Sequence, residues 1–117
     1  MELQFKKRDE LKQKPQDETA LGFGKIFTDY MFMMKHDAVE GWNYAAIEPF
    51  ANLSLSPAAL VLHYAQEIFE GLKAYRAEDG RILLFRPWDN IERMQNSADR
   101  MGMVPFDGEF VLNALYE

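Results

Sequence analysis

Arg86, Arg93 and Arg100 recur at every seventh residue, and each guanidinium offers a planar fork of N–H donors that matches a phosphate or a carboxylate. Arg93 and Arg100 fall on one face of a predicted helix, opposite its apolar stripe. Anion capture is one chemistry such a face could perform. Plain solvation of the polar side of an amphipathic helix accounts for it as well, and spacing alone leaves both open. Glu67 and Glu70, three residues apart, could share a helix face and act as general acid and base, although solvated helix charge explains them more simply. His36 is expected in a turn. His63 is expected on a helix as a hydrogen-bonded, half-buried side chain. Two histidines and no cysteine do not assemble a metal site, so none is expected. No glycine-rich phosphate loop, HExxH pair or nucleophile elbow occurs.

The elements that must position these groups read as strands in hairpins with a few helices. Lys25 to Lys35 (KIFTDYMFMMK) is rich in β-favouring residues and predicts a strand. A turn near His36 to Gly41 and a return strand from Trp42 to Ile47 follow, ended by Pro49. Ser56-Pro57 is a helix-start signal for Ala58 to Gln66. In the stretch after it, Tyr64, Ile68 and Phe69 read most simply as core anchors, and Gly71 as a site of backbone freedom or close approach. Leu72 to Arg76 and Arg81 to Phe85 predict a second hairpin around Glu78-Asp79-Gly80. Beyond Pro87, with Asp89 or Asn90 as cap, Ile91, Met94, Ala98 and Met101 fall within about 80° of arc at helical spacing. Gly102 and Pro105 close that helix, and Gly108 to Glu117 begins another. The fold class is α+β.

Composition bounds the rest. The chain has 117 residues, 13 Lys+Arg against 19 Asp+Glu, and 48% hydrophobic residues, which permits one soluble domain. Residues 1–20 carry five basic and five acidic groups and read as an extended or partly helical arm. The remaining 8 basic and 14 acidic groups fall in residues 21–117, so the body carries the whole net charge of −6. Such an acidic balance argues against broad nucleic-acid binding. No run approaches the ~18 apolar residues of a membrane span, and the charged start has no signal-peptide pattern, so a cytoplasmic location is expected. Aromatic residues reach 14%, a surplus for one small core, because each ring buries roughly 150–250 Å².

Three segments, LGFGKIFTDYM (21–31), HYAQEIFEGLKAYR (63–76) and LLFRPWDNIERMQNSADRM (83–101), closely resemble the N-terminal small domain of branched-chain amino acid aminotransferases, pyridoxal-phosphate enzymes of fold type IV. The resemblance runs in order from about Leu21 to Asp107. It implies that residues 21–117 are that small domain, preceded by an arm over residues 1–20. It also implies transfer of the amino group of leucine, isoleucine or valine to 2-oxoglutarate by a homodimeric enzyme. Arg93 matches the arginine that binds the 5′-phosphate of pyridoxal phosphate. Tyr64 in the HY pair, Phe69 in the FEG triplet and Phe23 in the FG pair match aromatics that line the substrate side-chain pocket. Such rings favour a branched aliphatic side chain by removing apolar area from water, about 25 cal/mol per Å², without hydrogen bonds that would admit polar amino acids.

The same resemblance implies what is missing. In the family an active-site lysine forms the imine with the cofactor and then carries the proton between the substrate α-carbon and the cofactor. That lysine lies in the large C-terminal domain. None of Lys6, Lys7, Lys12, Lys14, Lys25, Lys35 and Lys73 matches it; Lys73 falls in a segment resembling a small-domain strand. The chain is therefore expected to contain no catalytic residue and to be incomplete and inactive alone. Two other readings compete: a non-catalytic module acting in dimerisation or partner binding, and the small domain of a D-amino acid aminotransferase or aminodeoxychorismate lyase.

Overall fold

β-Favouring residues pair first near the N-terminus. The computed structural model describes residues 1–117 and places β1 at Gln4–Phe5, β2 at Tyr30–Asp37 and β3 at Gly41–Pro49 in one sheet of order β1-β3-β2. β2 and β3 are antiparallel, whereas β1 lies parallel to β3. The central strand β3 has neighbours on both edges, and its Ala45, Ala46 and Ile47 are the buried residues of this first unit, Met1–Leu53. Opposite them stand Met34, Met33 and Phe32 of β2.

The expected strand from Lys25 begins only at Tyr30, because Tyr30 pairs with Pro49, the last residue of β3, and no strand remains to pair with residues 25–29. Those residues take other partners. Lys12 Nζ donates to the carbonyls of Phe27 (3.3 Å) and Thr28 (2.8 Å), and Phe27 stacks on Phe50. His36 and Asp37 belong to β2 rather than to the expected turn. Asp37 Oδ1 accepts from the amides of Val39 and Glu40, both at 2.8 Å, and Gly41 supplies the left-handed φ of +71° that reverses the chain. Residues 1–20 form no helix: apart from β1 they are irregular, with a turn in which the Ala20 amide donates to the Asp17 carbonyl. Beyond β1, Arg8 donates its amide to Tyr30 Oη (3.1 Å), and Lys12 donates its amide to Asp29 (2.7 Å).

The second unit, Ser54–Glu117, carries the short helix α1 at Leu60–Tyr64, the hairpin strands β4 at Ala74–Arg76 and β5 at Ile82–Leu84, and helices α2 at Pro87–Arg100 and α3 at Gly108–Tyr116. The helix expected over Ala58 to Gln66 is thus a single turn. Ser56 Oγ accepts from the Ala58 amide (3.1 Å) in a turn ahead of it, and Ala65 ends it in a left-handed conformation, φ +48°. A helix this short adds few bonds for its nucleation cost, and it buries no residue.

α2 matches most of its predicted stripe: Ile91 and Ala98 are buried and Met94 is half-buried, while Arg93 and Arg100 are exposed; Met101 departs from it, standing exposed just past the helix end. Its cap differs from expectation. Pro87 is the first helical residue, and Arg86 precedes it with φ +46°, so Asp89 and Asn90 lie inside the helix. α3 is capped by Asp107, whose side chain accepts from the Phe110 amide at 3.0 Å. The two helices pack through Gly108, where a Cβ would stand 2.6 Å from Ile91 Cγ2.

The fold is α+β, as the sequence predicts. The expectation that Tyr64 and Phe69 anchor a core is corrected. They are 79% and 81% exposed, and the second unit buries Ile91, Ala98 and Ala114 as its hydrophobic residues. No helix is long and apolar enough to cross a membrane.

Candidate anion-binding site

α2 projects Asn90 and Arg93, three residues apart, from neighbouring positions of one face, Asn90 half-buried at the flank of the buried stripe and Arg93 on the exposed side. Both reach Glu70, which lies in the irregular segment between α1 and β4. The Arg93 guanidinium grips the Glu70 carboxylate side-on, with Nη2 donating to Oε1 at 2.5 Å and Nε to Oε2 at 3.3 Å. Asn90 Nδ2 donates one hydrogen to Glu70 Oε1 (2.8 Å) and the other to the Gly71 carbonyl (2.7 Å). Hydrogen bonds from Arg93, and next from Asn90, hold the Glu70 carboxyl below the usual carboxylate range, against a smaller opposing desolvation.

Beside this network lies a cavity of about 380 Å³, lined among others by Gly71, Lys73, Tyr75, Arg86, Asn90 and Arg93. Two arginines and a lysine thus line the space, whereas both hydrogens of the Asn90 amide are already donated to Glu70 and to the Gly71 carbonyl. Asp89 is the acidic residue of the lining, and it is paired with Arg86 across one helical turn. The Arg93 side chain keeps 58% of its surface exposed although its partner Glu70 keeps only 15%. Two of its five N–H groups face Glu70, which leaves three for another acceptor. The arrangement suits a phosphate or carboxylate anion.

Of the residues singled out in the sequence, Arg93 lines this cavity, and Tyr64 and Phe69 do not. Tyr64 ends α1, and Phe69 precedes Glu70; both present their rings to solvent. Phe23 belongs to the first unit and is 89% exposed. Arg86 joins Arg93 at the cavity, but Arg100 does not. The supposed Glu67–Glu70 helix face does not exist, since the helix stops at Tyr64 and Glu70 is committed to Arg93 and Asn90. His63 is exposed rather than half-buried, with Nε2 at 2.6 Å from the Pro57 carbonyl. Gly71 needs neither freedom nor close approach within this chain: a Cβ there would meet the Phe69 ring at 3.8 Å, an ordinary contact. The roles of Asn90 and Glu70 escape sequence reasoning. Only the three-residue spacing of Asn90 and Arg93 on one helix face hints at the first.

No protein-family model matches the chain. Individual curated relatives do. The chain is 55% identical over 104 residues, 89% of its length, to branched-chain-amino-acid transaminase 1 of Bacillus subtilis. It is 45% identical over all 117 residues to the cytosolic branched-chain-amino-acid aminotransferase of Caenorhabditis elegans, and 44% identical over 114 residues to the mitochondrial branched-chain-amino-acid aminotransferase of Mus musculus. It spans 28–29% of the length of these relatives.

Proposed function

The chain belongs to the branched-chain aminotransferase family, and from that footing we propose that it forms the small, phosphate-gripping domain of a transaminase. The reaction is transfer of the amino group of leucine, isoleucine or valine to 2-oxoglutarate with pyridoxal phosphate. The single observation that carries this reading is the cavity lined by Arg93, Arg86 and Lys73, cationic donors of the kind a phosphate monoester requires. Pyridoxal phosphate fits that set through its phosphate, and when bound it supplies an electron sink for charge developing at the substrate α-carbon.

This chain's own residues bind and orient. Arg93 holds the phosphate, with Arg86 and Lys73 adding positive charge at the same cavity. Tyr64 and Phe69 present apolar rings to the branched side chain, and the exposure of these rings, and of Phe23 in the first unit, suits surfaces that a further part of the protein covers. The proton-carrying lysine lies outside residues 1–117, so the chain alone binds without turnover. A homodimer is the expected assembly, supported by the exposed rings. A cytoplasmic location is the expected one, supported by the relative named cytosolic, although another is named mitochondrial.

The test is transamination by the complete enzyme that carries this segment. Leucine and 2-oxoglutarate should yield glutamate in a pyridoxal-phosphate-dependent reaction. Turnover of D-alanine instead, or pyruvate release from aminodeoxychorismate, would replace the assignment with another fold-type-IV activity. The 117-residue chain mixed with pyridoxal phosphate and borohydride should show no stoichiometric lysine adduct; one such adduct would overturn its incompleteness.

A further inference from the structure

Arg93 is mostly exposed, and an exposed arginine samples many rotamers, so an anion that binds it must first restrict it. Here the restriction already exists. The Glu70 carboxylate engages both Nε and Nη2, which fixes the plane of the guanidinium and not merely its distance. The carboxylate is itself immobilised. Its side chain is only 15% exposed, and Asn90 ties it to the Gly71 carbonyl, the next backbone group along the chain.

We infer that Glu70 is a positioning residue for the anion site: it holds the Arg93 guanidinium at the wall of the Lys73–Arg86–Asn90 cavity, with Asn90 holding Glu70 in turn. The inference deepens the proposed function and rests on phosphate binding by Arg93. A carboxylate beside an anion site also carries a cost, because its negative charge opposes the incoming phosphate. Arg93, Arg86 and Lys73 outnumber the two carboxylates, Glu70 and the Arg86-paired Asp89, at the cavity, and the high exposure of Arg93 screens that repulsion by water. Orientation is therefore the larger effect.

The experiment measures equilibrium binding of pyridoxal phosphate, and of inorganic phosphate, to the apo form of the complete enzyme. The proteins are wild type, Glu70→Gln, Arg93→Ala and the double variant. Glutamine replaces one acceptor oxygen with an NH₂ group that faces donors, which breaks the side-on grip. Glu70→Gln should weaken both ligands about fivefold to tenfold, the entropy of restricting one freed arginine side chain. In the Arg93→Ala background it should add less than about twofold, because both residues act through one contact. Unchanged or tighter binding by Glu70→Gln, with Arg93→Ala still weak, overturns the positioning role alone. Equal losses from Glu70→Gln with and without Arg93 also overturn it, showing an effect through the fold. Unaltered binding by Arg93→Ala instead overturns the phosphate-binding reading beneath it. Should Glu70→Gln not fold, Asn90→Ala removes the second hold on the carboxylate together with its tie to the Gly71 carbonyl; a loss that vanishes in the Arg93→Ala background supports the inference, and an additive loss overturns it.

Discussion

Gly108 and Ile91 approach so closely that a Cβ on Gly108 would stand 2.6 Å from Ile91 Cγ2 and 2.8 Å from Gln95 Nε2. The first residue of α3 is thus a glycine because α2 occupies the space a side chain would need. Its φ is ordinary, so the constraint is packing and not backbone strain. Gly108→Ala should destabilise the fold by about 1–3 kcal/mol, the usual cost of overpacking. Denaturant or thermal melts would read this directly. An unchanged midpoint would mean that Gln95 swings aside and Ile91 repacks freely.

Asp107 secures the same helix from the other direction, accepting from the Phe110 amide at 3.0 Å. Asp107→Ala should cost about 1 kcal/mol, and Asp107→Asn or Asp107→Ser much less, since each retains a capping oxygen. Equal losses in all three variants would show that the carboxylate charge, rather than the cap bond, matters.

In the complete enzyme, Arg93→Ala should weaken cofactor retention by roughly tenfold to a hundredfold, the range for a charge-assisted hydrogen bond. Phe69→Ala should instead raise KM for branched substrates, severalfold to about tenfold, through lost apolar contact. Cofactor titration separates the two effects. Wild-type cofactor affinity in the Arg93 variant would sink its assignment, and an unchanged KM would sink that of Phe69.

The Glu70 carboxyl titrates below its ordinary value because Arg93 and Asn90 bind its charged form. A depressed folded-state value means that the network's contribution is fully present above the ordinary glutamate range near ~4.3 and is lost as pH falls through the folded value. The stability difference between wild type and Glu70→Gln should therefore be flat at neutral pH and shrink below about pH 4. Carbon-detected NMR titration of Glu70 should give a low value that rises in Arg93→Ala. A titration indifferent to Arg93 would contradict the hydrogen bonds.

Features set within a few residues are legible in the sequence. The apolar spacing of Ile91, Met94 and Ala98 marks α2 and leaves Arg93 on its exposed side. Glu78-Asp79-Gly80 marks the β4–β5 hairpin, where Arg81 donates its amide to Asp79. Elements that depend on a distant partner are less so. The strand beginning at Tyr30 rather than Lys25 follows from where β3 ends, and the loss of the Glu67–Glu70 helix face follows from Ala65 turning left-handed.

The candidate site divides along the same line. By itself the sequence determined that Arg93 projects from the polar face of a helix and that the surrounding text resembles that of a transaminase. Periodicity and local motifs are short-range properties of a chain. Only the tertiary structure decided that Arg93 meets Glu70, 23 residues away, and that Lys73, Arg86 and Asn90 gather at one cavity. A carboxylate in a sequence carries no mark of the guanidinium it will face, because that choice belongs to how the segment before the hairpin meets the helix.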